Sequence, residues 1–298
     1  MRKNRGLLLL IALLSVFTLI FAACGSDEPA ATPGAEDSGA PDTGGDFTLV
    51  TDGHLTVGSD IPYPPFEFND DSGALTGFDV DLMRAVADKL GLASDDNDWL
   101  SVNFDTIFTQ LQSGQKFDVI AAAVTAYSPE GSPAAEVVAD RNTHVDFTLP
   151  VYDSLQSLTV DTSANPDITG VDSLPDGARV AVQASTTGAF YAEENLTNVE
   201  LVKFPKAPSM YQALQAGQVV AVFNDLPVSL DAIEGKDELQ VMEQVDTGEQ
   251  YAFAVNKENT ALLDAINSAL EEIFSDGTYA QIFETYFPDQ ELPEYASE

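Results

Sequence analysis

Between Asp79 and Leu90, the apolar residues Leu82, Met83, Val86, Ala87 and Leu90 recur three and four apart, which gathers them on one face of a helix that Gly91 stops. The same spacing returns from about Asp105 to Ser113, with Ile107, Phe108 and Leu111 inward. Other stretches carry no helical period. HLTVGS (54–59) reads as a short strand, and FDVIAAAVT (117–125) as an apolar strand covered on both faces, as in a parallel sheet. The rhythm restarts further on: ARVAVQ (178–183) is a strand, TTGAFYAEENL (186–196) and PSMYQALQAG (208–217) are helices, and VVAVFND (219–225) is a strand. After EQYAFAV (249–255) two helices close the chain. The first turns Leu262, Leu263, Ile266, Leu270, Ile273 and Phe274 inward and stops at Gly277; the second runs from Tyr279 to about Phe287. Strands alternating with helices predict an α/β fold, in two similar halves with no fixed-period repeat.

One stretch breaks the rhythm. SDIPYPPFEF (59–68) sets Tyr63, Phe66 and Phe68 around Pro64 and Pro65, with Asp60 at its head. Proline fixes the backbone and removes donors, which excludes a helix or a central strand. The sequence predicts a stiffened loop carrying rings and a carboxylate.

The first residues follow another pattern. Arg2, Lys3 and Arg5 precede an uncharged run from Gly6 to Ala23, which reads as a signal peptide (1–23) or, alternatively, as an anchor helix. FAAC ends this run at Cys24, the single cysteine, and resembles a bacterial lipobox, although Phe21 departs from the usual aliphatic residue. A lipid attached to Cys24 would anchor the chain, and one cysteine leaves no internal disulfide. Residues 24–46 are Gly, Pro, Ala, Ser and acids, too polar to offset chain entropy, and are expected to form a disordered acidic tether.

Composition narrows the function classes. The 298 residues leave room for two lobes, and 44% hydrophobic residues can build their cores. The net charge of -37, with 12 basic residues against 49 acids, argues against nucleic acid and anionic lipid surfaces as partners. His54 and His144 lie far apart without metal-ligand spacing, and no phosphate loop, GxSxG or HExxH motif is present, so neither cofactor nor metal is expected. The chain reads as built to hold a molecule rather than to convert it.

The ordered motifs LTVGSDIPYPPFEF, GFDVDLMRAVADKLG, FDTIFTQLQSGQKFDVIAAAVT, DRNTHVDFTLPVY, VAVQASTTG, YQALQAGQVVAVFND and LEEIFSDGTYAQIFETYF, spanning about 52–288, resemble bacterial extracellular solute-binding protein family 3. These are capture subunits of ABC importers for polar amino acids. The resemblance implies a two-lobed periplasmic-binding-protein-like type II fold with two crossing hinge strands and ligand between the lobes. The implied crossings fall near Ser154 to Val160 and Gly248 to Val255. The first lobe is then expected over 47–154 and 251–298, and the second over 155–250. The implied partners are a small L-amino acid and a membrane permease, and the implied location is extracytoplasmic, held by the lipid on Cys24. An enzyme on the same fold, dehydratase-like, and an amino-acid sensor without transport are the alternatives.

The same resemblance assigns site residues. Arg141, in DRNTHVDF, matches the arginine that clamps the ligand carboxylate; the alternative is a surface arginine paired with Asp140. YSPEGSPAAEVVAD (127–140) intervenes as an unusually long loop. Thr186 and Thr187 stand where a strand turns into a helix, offering hydroxyl donors beside an anion-binding helix start, or capping it. Ala123 and Thr125 match a backbone or hydroxyl partner. Asp225 matches the acid for the ligand ammonium, or else caps LPVSLDAIEG. Tyr63 and Phe104 match two rings over the ligand side chain, with Phe66 and Phe68 as core anchors. Asp60 is left facing that side chain, helped by Gln183 and Asn224. With no cation assigned to Asp60, a cationic or amide side chain is expected on the ligand.

Overall fold

The computed structural model describes residues 47–296. The expected signal segment (1–23), Cys24 and the tether (24–46) lie outside the described residues. From the amino-terminal side come β1 (Val57–Ser59), β2 (Phe68–Asn69), β3 (Leu75–Thr76), α1 (Phe78–Lys89), β4 (Trp99–Ser101), α2 (Phe104–Gln112), β5 (Val119–Ile120) and β6 (Thr125–Tyr127). Then follow α3 (Pro133–His144), β7 (Val145–Phe147), β8 (Tyr152–Asp161), β9 (Arg179–Gln183), α4 (Thr187–Asn195), β10 (Glu200–Phe204) and α5 (Ala207–Gln215). The remainder forms β11 (Ala221–Asp225), α6 (Leu226–Ile233), β12 (Leu239–Tyr251), β13 (Ala254–Asn256), α7 (Thr260–Ser275) and α8 (Thr278–Tyr286).

Two sheets organise these elements. The first has the order β4-β1-β5-β13-β7; β1 is parallel to β4 and β5, and β13 is antiparallel to β5 and β7. The second runs β10-β9-β11-β8-β12-β6, with β9 parallel to β10 and β11. The long strands β8 and β12 pair antiparallel from Tyr152 and Tyr251 at one end to Asp161 and Leu239 at the other. The near end of β12 also pairs with β6, which ties the two strands to the first lobe. They are the two crossing strands of a two-lobed α/β fold. Strand β13 returns to the first sheet after the second is complete, so described segments before β8 and after β12 both build the first lobe.

The helices form because their apolar residues share a face. On α1, Phe78, Val80, Leu82, Met83 and Val86 are fully buried, each contributing roughly 1.5–3 kcal/mol by leaving water. Phe78 meets Phe283 of α8 edge-on at 6.1 Å between centroids, which fastens the carboxyl-terminal helix to the first lobe. The aromatic loop is anchored by Phe66, fully buried and edge-on to Tyr152 at 5.2 Å and Tyr251 at 5.5 Å. Phe68 is only half-buried, so the anchoring falls to Phe66.

Two expectations are corrected. FDVIAAAVT is not one strand: β5 ends at Ile120, and Ala123 adopts a positive φ of 46° before β6 begins. The buried carboxylate of Asp79 holds the Ala123 N–H at 2.9 Å and fixes that turn, which a non-glycine residue adopts rarely. The stretch 127–140 is not a long loop either, because α3 begins within it with Pro133 in its first turn. Ala134, Val137, Val138 and Arg141 are its buried face, at helical spacing.

Candidate functional site

The parallel strands of both sheets aim their carboxyl ends at one cleft, where open α/β sheets place their ligands. Asp60 follows β1, Phe104 follows β4 and Ala123 follows β5 in the first lobe. Opposite them, Ser185 to Thr187 follow β9, Lys206 follows β10 and Asp225 ends β11. Between the lobes lies a cavity of about 320 Å³, partly open to solvent, lined by Asp60, Tyr63, Phe104, Ala122, Ala123, Thr125 and Arg141 on one side and Thr186, Thr187 and Asp225 on the other. Gln183 and Asn224 do not line it. Gln183 Nε2 donates to Asp60 Oδ2 at 2.6 Å, and Asn224 Oδ1 accepts from the Tyr63 hydroxyl at 3.3 Å, so both act from behind.

Arg141 is 3% exposed, which removes the surface-arginine alternative. Its Nη1 donates to the Thr125 carbonyl at 2.8 Å and its Nη2 to the Ser185 carbonyl across the cleft at 3.4 Å. The guanidinium carbon lies 5.3 Å from the centre of the Phe104 ring and 5.2 Å from that of Phe108, a cation resting against two rings that meet edge-on. Burial pulls its pKa down to about 10, against the nearby Glu249 carboxylate, and it stays charged at neutral pH. Its Nε has no partner in the protein. The arginine is positioned, charged and incompletely satisfied.

Asp225 occupies the N-cap position of α6 but makes no side-chain cap bond, so the capping alternative fails. Its oxygens instead accept from Tyr63 at 2.5 Å and from Gln156 of β8 at 2.6 Å. Burial raises its carboxyl above the usual range, while the Tyr63, Tyr251 and Gln156 hydrogen bonds and then the Arg141 charge pull it back. Tyr63 therefore does more than cover the cavity: it straps the first lobe to the second.

The hydroxyls expected to reach a ligand are engaged elsewhere. Thr186 caps α4, accepting from Ala189 N at 3.1 Å and donating to the Gln183 carbonyl at 2.9 Å. Thr125 and Thr187 each donate to Glu249 Oε2 at 2.7 Å. A buried hydroxyl without a partner is costly, and Glu249 supplies one to two threonines from opposite lobes. What α4 still offers is the N–H groups of Thr187 and Gly188 at its start, which a helix leaves without internal partners. Ser185, just before them, has a positive φ of 67°, so strained backbone borders the cavity in both lobes.

Asp60 also departs from expectation. It is not without a cation, because Lys206 Nζ lies 2.5 Å from its Oδ1. The case for a cationic ligand side chain loses its premise. Sequence reasoning missed Lys206 and Glu249. In sequence Lys206 carries no signal beyond its place after a parallel strand, and Glu249 is one of 49 acids. His54 contacts Asp98 at 3.1 Å and His144 is exposed, both outside the cavity lining. Among the described residues, no group of His, Cys, Asp and Glu could hold a metal ion, and no helix is long and apolar enough to cross a membrane.

The family model for bacterial extracellular solute-binding proteins, family 3, matches residues 55–289. The chain belongs to that family. It is 28% identical over 236 residues to the L-cystine-binding protein TcyJ of Escherichia coli, covering 79% of this chain and 83% of that one. It is 26% identical over 239 residues to the ABC transporter arginine-binding protein 1 of the same organism, covering 78% and 90%. Among solved structures, an ancestral arginine-binding protein bound to glutamine superposes with a TM-score of 0.71 at 34% identity, covering 80% of this chain and 100% of that one. These relatives carry the names of binding proteins rather than enzymes.

Proposed function

We propose that this protein captures an L-amino acid between its lobes and delivers it to an ABC importer. One observation carries the reading: Arg141, buried, and Asp225, part-buried and of opposite charge, line the same cavity. A zwitterion matches such a pair. Its carboxylate would take Arg141 Nε, a free Nη hydrogen and the Thr187 and Gly188 N–H groups at the start of α4, and its ammonium would take Asp225. The names of the relatives support an amino acid as the ligand. Capture would close the lobes by a hinge motion in β8 and β12, the mode for which periplasmic binding proteins are a known example. The division into 47–154 with 251–298 and 155–250 is part of this proposal, supported by the span of those two strands.

The family's extracytoplasmic setting agrees with a lipid on Cys24, exposed by removal of residues 1–23. Two experiments test these parts. Saturating ligand stabilises the native state by about 2.7 kcal/mol at a hundredfold excess over Kd, so a thermal-shift screen of the twenty L-amino acids should show at least one clear rise. No rise with any of them would count against amino-acid capture. A Cys24→Ser variant should leave the membrane fraction for the soluble one, and its retention would count against the lipid anchor.

A further inference from the structure

Lys206 stands two residues past the end of β10, at the N-cap position of α5 in the second lobe. Its ammonium crosses the cleft and donates to Asp60 Oδ1 at 2.5 Å, to the Ile61 carbonyl at 3.0 Å and to the Val102 carbonyl at 3.3 Å. An ammonium has three donors, and all three are engaged by oxygens of the first lobe. Asp60 lines the cavity, whereas Lys206 stands behind it. Beside them Gln183 is 2% exposed; its amide nitrogen is fixed on Asp60, and its Oε1 is buried with no partner.

The geometry points to Lys206 as the selector of the ligand side chain: by neutralising Asp60 from behind, it favours an uncharged side chain bearing a hydrogen-bond donor, an amide or a hydroxyl, over a cationic one. This rests on the amino-acid reading above. A cationic side chain reaching Asp60 would place two cations on one carboxylate in a poorly hydrated space, or would expel Lys206 and break its three bonds. An anionic side chain would meet the Asp60 carboxylate itself. A neutral N–H or O–H adds no charge and can be received by Asp60, which lines the cavity. Selectivity then comes as much from what the pair repels as from what it receives.

The test is calorimetry on the full-length protein in detergent, with L-glutamine, L-threonine and L-arginine as ligands. Wild type should bind glutamine or threonine at least about tenfold more tightly than arginine, a difference of the order one unfavourable charge contact produces. Lys206→Met should bare Asp60 and improve arginine relative to the better uncharged ligand by about 30-fold or more. Lys206→Gln gives a second neutralising variant with the same expected shift should the first not fold, as judged by its unliganded melting transition. Lys206→Arg keeps the charge and should keep the wild-type order. Wild-type preference for arginine, or an unchanged ratio in the neutral variants, overturns the assignment to Lys206 while leaving amino-acid capture intact. Absence of binding by every amino acid overturns the capture reading and this inference together.

Discussion

Replacing Arg141 with lysine keeps a positive charge while removing a planar fork. The guanidinium is oriented before any ligand arrives, by the Thr125 carbonyl at 2.8 Å and by the Phe104 and Phe108 rings at 5.3 and 5.2 Å. That orientation leaves Nε and the outer Nη hydrogens to engage a carboxylate through parallel bonds. A lysine ammonium is a point donor and must divide itself between Thr125 and the ligand. Losing one charge-assisted hydrogen bond costs about 1.5–3 kcal/mol, which is roughly a 10- to 150-fold rise in Kd. The unliganded protein should lose only about 1 kcal/mol, the share of the ring contacts. Titration calorimetry at pH 7 reads the affinity, and melting followed by circular dichroism reads the fold. An affinity within threefold of wild type, with unchanged melting, would refute the carboxylate clamp.

Other perturbations separate neighbouring roles. Asp225→Asn should weaken every α-amino acid ligand by a similar factor, since all share the ammonium; a side-chain-dependent loss in competition binding would place Asp225 elsewhere. Burial pushes the Asp79 carboxyl up to about 7, so its contribution to stability is full below an unfolded value near 3.8 and is lost as pH rises through 7. Asp79→Asn removes that loss and should gain on wild type progressively from pH 4 to 8 in urea unfolding, by an amount on the order of 4 kcal/mol at the end. A pH-independent difference between the two would contradict the titration. Phe66→Ala should cost about 3–5 kcal/mol, because the ring is fully buried among Phe78, Tyr152 and Tyr251, and a loss below about 1 kcal/mol would show that the aromatic loop is not anchored there.

The architecture was legible where periodicity is strong. Helices α1, α2, α4, α5, α7 and α8 lie within a residue or two of the apolar runs that announced them. α3 was obscured because Pro129, Gly131 and Pro133 punctuate the stretch before it, although Ala134, Val137, Val138 and Arg141 carry a helical period. The break at Ala123 was invisible for another reason: its cause is Asp79, 44 positions away in sequence. Within the site, residues that face the cavity could be placed by motif, yet their bonding could not. Hydroxyl protons of Thr125 and Thr187 go to Glu249, and the charge of Asp60 goes to Lys206, 146 positions on. These pairings exist only when the lobes meet, so no local pattern encodes them.

A zwitterion held between Arg141 and Asp225 is tested most directly by calorimetry with one ligand and two of its analogues. The best-binding L-amino acid is compared with its decarboxylated amine and with its deaminated acid, on the same protein preparation. Each analogue leaves one desolvated charge of the cavity without its partner, which costs about 2–5 kcal/mol. The amino acid should bind one to one, and both analogues should bind at least about 30-fold more weakly. Equal binding of either analogue would contradict the account, because one of the two charges would then be doing nothing for the ligand.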